Sequence, residues 1–91
     1  MIDKVLALSG YVDASSYRKK VVLYLRSNKF ATPTQIAYNT GIQVNHISKT
    51  LSELKDKKII VCVNEDARKG RLYRLTDLGK DVDKIVEELN S

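Results

Sequence analysis

Residues 32–54 read Thr32-Pro33-Thr34-Gln35-Ile36-Ala37-Tyr38-Asn39-Thr40-Gly41, followed by Ile42-Gln43-Val44-Asn45-His46-Ile47-Ser48-Lys49-Thr50-Leu51-Ser52-Glu53-Leu54. The opening four residues are a dense helix-start signal. Thr32 can cap, proline suits the first helical position because it has no N–H to leave unpaired, and Gln35 completes a capping box. That helix is expected to run to about Asn39. Thr40-Gly41 ends it, glycine being free to take the left-handed conformation a sharp turn demands. The next helix starts near Gln43, puts Ile47, Leu51 and Leu54 on one face and closes at Asp56-Lys57-Lys58.

Outward from this pair the pattern stays short and regular. Ser15 or Ser16 can cap an earlier helix, Tyr17 to Asn28, with Tyr17, Val21, Tyr24, Leu25 and Asn28 at helical spacing and Val22 on an overlapping face. Lys29-Phe30-Ala31 reads as a short extended connection. Ile2, Val5, Leu6 and Leu8 mark the first segment as either a short helix ending near Gly10 or an extended arm. After residue 58 the period changes: IIVCVN (59–64) is β-branched, EDARKG (65–70) is a polar turn, and RLYRLT (71–76) alternates with Tyr73 and Leu75 on one face. Together they predict a β-hairpin. Thr76 then caps a last helix striped by Leu78, Val82, Ile85, Val86 and Leu89.

Composition bounds what such a chain can be. Ninety-one residues, 43% apolar and 30% charged, suit one small ordered domain (1–91) with little room for a deep pocket. Cys62, the only cysteine, excludes an internal disulfide framework and points to a reducing cytoplasm. VLAL (5–8) is too short for a signal-peptide core or a membrane span. The net charge of +5 is unevenly spread: residues 14–74 carry +9, residues 1–13 carry −1 and residues 75–91 carry −3. A basic middle suits a polyanionic partner or a lysine-rich solvated surface.

The order helix, helix, turn, helix, hairpin, helix resembles the winged helix-turn-helix domain, and within it the MarR-like and ArsR-like small prokaryotic regulators. TPTQIAYNTGIQVNHISKTLSELKDKKII and the later RLYRLTDLGK carry the likeness over residues 18–80. Asp66-Ala67-Arg68 loosely matches a MarR-like wing motif. The long flanking helices of full MarR proteins and the metal-binding cysteine pair of many ArsR-like sensors are missing. Where the family usually has glycine at the end of the reading helix, this chain has Lys58. A lysine at positive φ costs on the order of 1 kcal/mol, so a local change of the exit is expected. The resemblance implies a mainly α fold with a β-hairpin. Residues 14–76 would form the DNA-binding core, and residues 1–13 and 77–91 flanking or dimerisation elements.

With Ile42, Ile47, Leu51 and Leu54 inward, Gln43, Asn45, His46, Lys49 and Thr50 are expected to face out, with Val44 at the edge of the stripe. These residue types suit base edges: amides bind adenine, lysine reaches guanine, and methyl groups meet thymine. Thr32 and Thr34, at a helix N-terminus, can cradle a phosphate or serve only as caps. Arg68, Lys69 and Arg71 flank Gly70 in the hairpin tip (65–71), which in a winged fold lies along the backbone or enters the minor groove. The expected function is therefore a sequence-specific regulator of double-stranded DNA, with helix 43–57 in the major groove. A protein-interaction adaptor and a nonspecific nucleic-acid binder are the alternatives. The last helix packs either on its own chain or on a second copy, and a homodimer follows from the latter. No cofactor, metal site or catalytic set is expected, because His46 stands alone and no nucleophile–base pair has suitable spacing. No effector is specified.

Overall fold

A computed structural model describes residues 3–91; Ile2, placed above on the apolar face of the first segment, lies outside them. Among the described residues the elements run α1 (Lys4–Asp13), α2 (Ser16–Ser27), α3 (Pro33–Thr40), α4 (Val44–Asp56), β1 (Ile60–Cys62), β2 (Tyr73–Leu75) and α5 (Asp77–Leu89). The winged helix-turn-helix order expected from the sequence is present.

Among the described residues α1, α2, α3 and α5 each start on a residue whose side chain satisfies an otherwise orphaned amide, whereas Gln43 gives α4 no such cap. Asp3 accepts from the Val5 amide at 2.9 Å, and Ser15 accepts from Arg18 at 3.3 Å. At α3 the capping box is complete: Thr32 Oγ1 accepts from the Gln35 amide at 3.2 Å, and Gln35 Oε1 accepts from the Thr32 amide at 2.9 Å. Gly41 ends α3 at φ 74°. The left-handed residue turns the chain sharply enough to lay α4 across α3.

The first segment is a helix and does not stop at Gly10. It runs to Asp13 because its inner face has somewhere to go: Ser9 and Val12 are fully buried between α2 and α5. A glycine inside a helix costs about 1 kcal/mol, less than the roughly 1.5–3 kcal/mol from burying a side chain such as Val12. Ser9 Oγ donates to the Val5 carbonyl at 2.6 Å, so its polar atom enters the core already satisfied.

One core joins all the elements. Val21, Val22 and Leu25 of α2, Ile36 of α3, Ile47, Leu51 and Leu54 of α4, Ile59 and Ile60, Tyr73 and Leu75, and Val82 and Val86 of α5 are buried in a single cluster. β1 and β2 pair antiparallel with Ile60 opposite Leu75, Val61 opposite Arg74 and Cys62 opposite Tyr73. The paired strands are only three residues each, shorter than the sequence runs suggested, because the segment from Val63 onward turns away into the tip. Ala31 adds a third edge through two hydrogen bonds with Tyr73, 3.1 and 2.9 Å.

Two expectations are corrected. Thr50 does not face out; it is 3% exposed, three residues after Ile47 and beside Leu51, and its Oγ1 donates to the His46 carbonyl at 2.8 Å. A threonine that satisfies its hydroxyl on its own helix can enter an apolar face as a small residue. Nor does the exit of α4 change to spare Lys58. The lysine takes φ 64°, and the Ile59 amide reaches back to the Leu54 carbonyl at 3.0 Å, as after a left-handed helix cap. The stripe on α5 is spent largely inside the chain: Val82 and Val86 pack under α1 and α2, while Leu89 stays 55% exposed.

Two polar clusters fix the helices relative to one another. Arg26 donates to both oxygens of the buried Asp83 at 2.7 and 2.9 Å, joining α2 to α5. That hydrogen-bonded carboxylate raises the Arg26 pKa further above its ordinary value. Arg18 donates from Nε to the Tyr11 carbonyl at 2.8 Å, lies 3.9 Å over the Tyr11 ring and pairs with Glu53 of α4 at 3.7 Å. The end of α4 is thereby held to α1 and α2.

Candidate nucleic-acid interface

The burial of Ile47, Thr50, Leu51 and Leu54 decides which residues of α4 remain outside. Gln43, Val44, Asn45, His46, Ser48 and Lys49 are all exposed, and no acidic residue stands among them. Val44 is 53% exposed, well clear of the apolar stripe. This outward surface occupies the first half of the helix, next to the turn that carries Gly41.

His46 is not isolated on that surface. Its ring lies 5.3 Å from the ring of Tyr17, on α2, with the planes tilted by 42°. Tyr17 is 39% exposed, so the helical spacing that placed it with the core residues of α2 led to this contact instead. Among the described residues no group of three His, Cys, Asp or Glu side chains is placed to hold a metal.

At the start of α3 the first turn has few free donors. Pro33 has no N–H, the Gln35 amide is capped by Thr32, and the Ile36 amide bonds to the Thr32 carbonyl at 3.0 Å. Thr34 therefore keeps the turn's available amide together with its exposed hydroxyl. Thr32 acts chiefly as the cap.

The hairpin tip lies directly across from this turn. Thr32, Pro33 and Thr34 share a groove of about 410 Å³ with Arg68, Lys69, Gly70 and Arg71. Two separately expected contacts, the start of α3 and the hairpin tip, thus line one groove. Arg68 and Lys69 are exposed, whereas Arg71 is half-buried and donates from Nε to the Ala67 carbonyl at 2.9 Å. A second, smaller groove links Arg71 and Pro33 to Ser48, Ser52 and Lys55 of α4.

Asn64 shapes the tip. Its Nδ2 donates to the Gly70 carbonyl at 3.1 Å and its Oδ1 accepts from the Leu72 amide at 2.7 Å, closing the loop across its neck. Gly70, at φ 67°, supplies the reversal. Lys55 of α4 then pairs with Glu65 of the tip at 2.7 Å. Each partner shifts the other: hydrogen bonding to Glu65 raises Lys55, and hydrogen bonding from Lys55 lowers Glu65. Glu65 is therefore engaged with α4 rather than standing free beside the arginines.

Sequence reasoning missed the tip-closing bonds of Asn64, the contact of Tyr17 with His46 and the exposure of Tyr38. Tyr38 is 86% exposed, one helical turn beyond Thr34 on the same face of α3. An asparagine opening a polar turn and an aromatic four residues after Thr34 were the available signals.

Solved structures share this architecture. Wild-type MarR from E. coli in its apo form matches with a TM-score of 0.76 at 20% identity, over 94% of this chain and 67% of that one. The fold is the MarR-type winged helix. A mutant of E. coli MarR complexed with operator DNA matches with a TM-score of 0.75 at 18% identity, over 94% of this chain and 62% of that one. The AntR antimony-specific transcriptional repressor gives 0.69 at 22% identity, over 93% and 79%. Among curated proteins, the phenylalanine–tRNA ligase alpha subunit of Metallosphaera sedula is 33% identical over 61 residues, which is 67% of this chain and 13% of that protein. The chain thus spans about two thirds of these MarR structures and a small part of the ligase subunit. No family model matches it. The winged-helix neighbours are transcription regulators, and no helix of the described residues is long and apolar enough to cross a membrane.

Proposed function

We propose that the chain is a sequence-specific, double-stranded DNA-binding transcriptional regulator without enzymatic activity, working in the cytoplasm. The observation that carries this is the arrangement of three features on one side. The uncovered first half of α4 lies beside a groove that joins the start of α3 to the basic hairpin tip. Gln43, Val44, Asn45, His46 and Lys49 enter the major groove, Thr34 and Lys69 hold a phosphate between them, and Arg68 reaches along the backbone or into the minor groove. Arg71, already bonded within the tip, serves mainly to stiffen it. Thr50 has no part in base contact. The operator-bound MarR neighbour has the same fold, which supports the reading.

Residues 14–76 supply this surface in the proposal, and the paired α1 and α5 bring two copies together. Leu6 of α1 and Leu89 of α5 are 56% and 55% exposed, and a homodimer would cover them. Two reading helices about 34 Å apart would then recognise a two-fold site. Selection of bound duplexes from a random pool tests both parts. A palindromic consensus is the expected outcome, and a pool that never converges would overturn sequence specificity.

A second reading is a nucleic-acid-binding module without base preference. It is favoured by the likeness to part of a tRNA ligase subunit. Equal affinity for mixed-sequence duplex DNA and structured RNA in the same selection buffer would favour it over the first.

A further inference from the structure

Beyond the tip and α4, a second group of basic side chains gathers at the end of β2 away from the hairpin tip. A groove of about 440 Å³ there is lined by Arg26, Lys29, Arg74 and Lys80 over a floor of Leu25 and Leu75, and no carboxylate lines it. Its four cations come from α2, the α2–α3 connection, β2 and α5, so the fold and not local sequence gathers them. Two are held in place by the chain itself: Arg26 by both oxygens of Asp83, and Arg74 through Nη1 to the Leu75 carbonyl at 3.2 Å. Lys29 and Lys80 have no ion-pair partner among the described residues. Converging like charges in one concavity repel one another and draw in an anion. Arg26 already spends its fork on Asp83, so Lys29, Arg74 and Lys80 supply the attraction, and the Arg74 guanidinium, held at one nitrogen, has others to offer phosphate oxygens.

We propose that this groove is a second phosphate-binding site, taking the sugar–phosphate backbone that flanks the segment read by α4. It rests on the DNA-binding function proposed above. Lys29 lies five residues before Thr34, which holds phosphate in that reading, so their Cα atoms are at most about 18 Å apart. A backbone leaving the groove between α3 and the tip therefore reaches Lys29 within about five phosphates on one strand.

The test uses the intact chain and needs no operator. Inorganic tripolyphosphate is titrated into isotope-labelled protein, and binding of a mixed-sequence duplex of about 30 base pairs is compared for the parent, the Lys29→Gln, Lys80→Gln double variant and a charge-matched control, Lys20→Gln, Lys84→Gln, whose side chains lie outside the groove. All four substituted side chains are exposed, so an unchanged thermal melt checks the fold. The expected result is that tripolyphosphate moves the amides of Lys29, Arg74 and Lys80. The groove variant then loses about tenfold on the duplex, with a salt slope flatter by about two units, and the control loses much less. Shifts confined to Thr34 and residues 68–71, or equal losses in the two variants, would overturn the site. Shifts in the groove from a protein that does not bind the duplex would assign it to a free phosphorylated ligand, ending its nucleic-acid role and the DNA reading together.

Discussion

Lys58 holds a backbone conformation that a side chain disfavours, at φ 64°, because the turn from α4 into β1 leaves no alternative. Ile59 must enter the core immediately afterwards, and its amide is already committed to Leu54. Lys58→Gly is expected to stabilise the protein by about 0.5–1 kcal/mol, the relieved strain exceeding the added unfolded-state freedom; a denaturant midpoint that falls would contradict this. Gly79 is the opposite case. A Cβ there would overlap the carbonyl oxygen of Ile59, a backbone atom that cannot step aside. Gly79→Ala should destabilise by about 1–3 kcal/mol despite alanine's better helix propensity, measurable in the same unfolding experiment. Gly79 stood in the RLYRLTDLGK stretch read from the sequence; the carbonyl that requires it did not show there.

At the scale of elements, what could be read from the sequence was what the chain does locally. The capping box of α3, the Gly41 turn and the alternation of Tyr73, Arg74 and Leu75 involve residues one to four apart, and each formed as expected. Thr50 misled because its position borders the stripe, and only the packing decides on which side a small, self-bonded residue falls. The clasp of the tip onto α4 depends on Asn64, Glu65 and Lys55 meeting across a turn, and no periodicity reports that. The ion pair has a defined pH range. Glu65 is lowered below the ordinary 4.5, so its contribution is complete above that value and lost as pH falls through the folded value; Lys55 is raised above 10.5, so its contribution is complete below that value and lost as pH rises through the folded one. Amide shifts of residues 64–71 should thus stay constant between these limits and move below pH 4.5 in an NMR titration; steady drift at neutral pH would argue against the clasp. For binding, Asn45→Ala should cost roughly 1–3 kcal/mol on a selected site and relax its base preference. Arg68→Ala should weaken all duplexes alike and flatten the salt slope by about one unit. Identical profiles for the two variants would remove α4 from base readout.

Across the whole molecule, α1 and α5 close the fold from opposite ends of the chain. Ser9 lies within 3.4 Å of the Val82 carbonyl, and Asn90 donates to Asp13 at 2.8 Å. Separations of more than seventy residues carry no local signal, which is why the sequence left open where α5 packs. The Arg26–Asp83 pair belongs to the same closure. Removing the arginine leaves a buried carboxylate unpaired, so Arg26→Met should destabilise by about 1–3 kcal/mol, a figure reduced from the fully buried case because the arginine is partly exposed. Adding Asp83→Leu to Arg26→Met should restore most of the loss in a double-mutant cycle; no recovery would mean that the pair is not the source of the destabilisation.

Thr76 joins these scales in one atom. Its Oγ1 accepts from the Gly79 amide at 2.9 Å as the cap of α5, and it donates to the Lys58 carbonyl, 2.6 Å away at the exit of α4. The first turn of α5 and the exit of α4 are therefore fastened by a shared hydroxyl. Solvent exchange at the Gly79 amide and loosening of the Lys58 corner are thereby coupled through that hydroxyl, so a disturbance of the first turn of α5 reaches the exit of α4 without crossing the core.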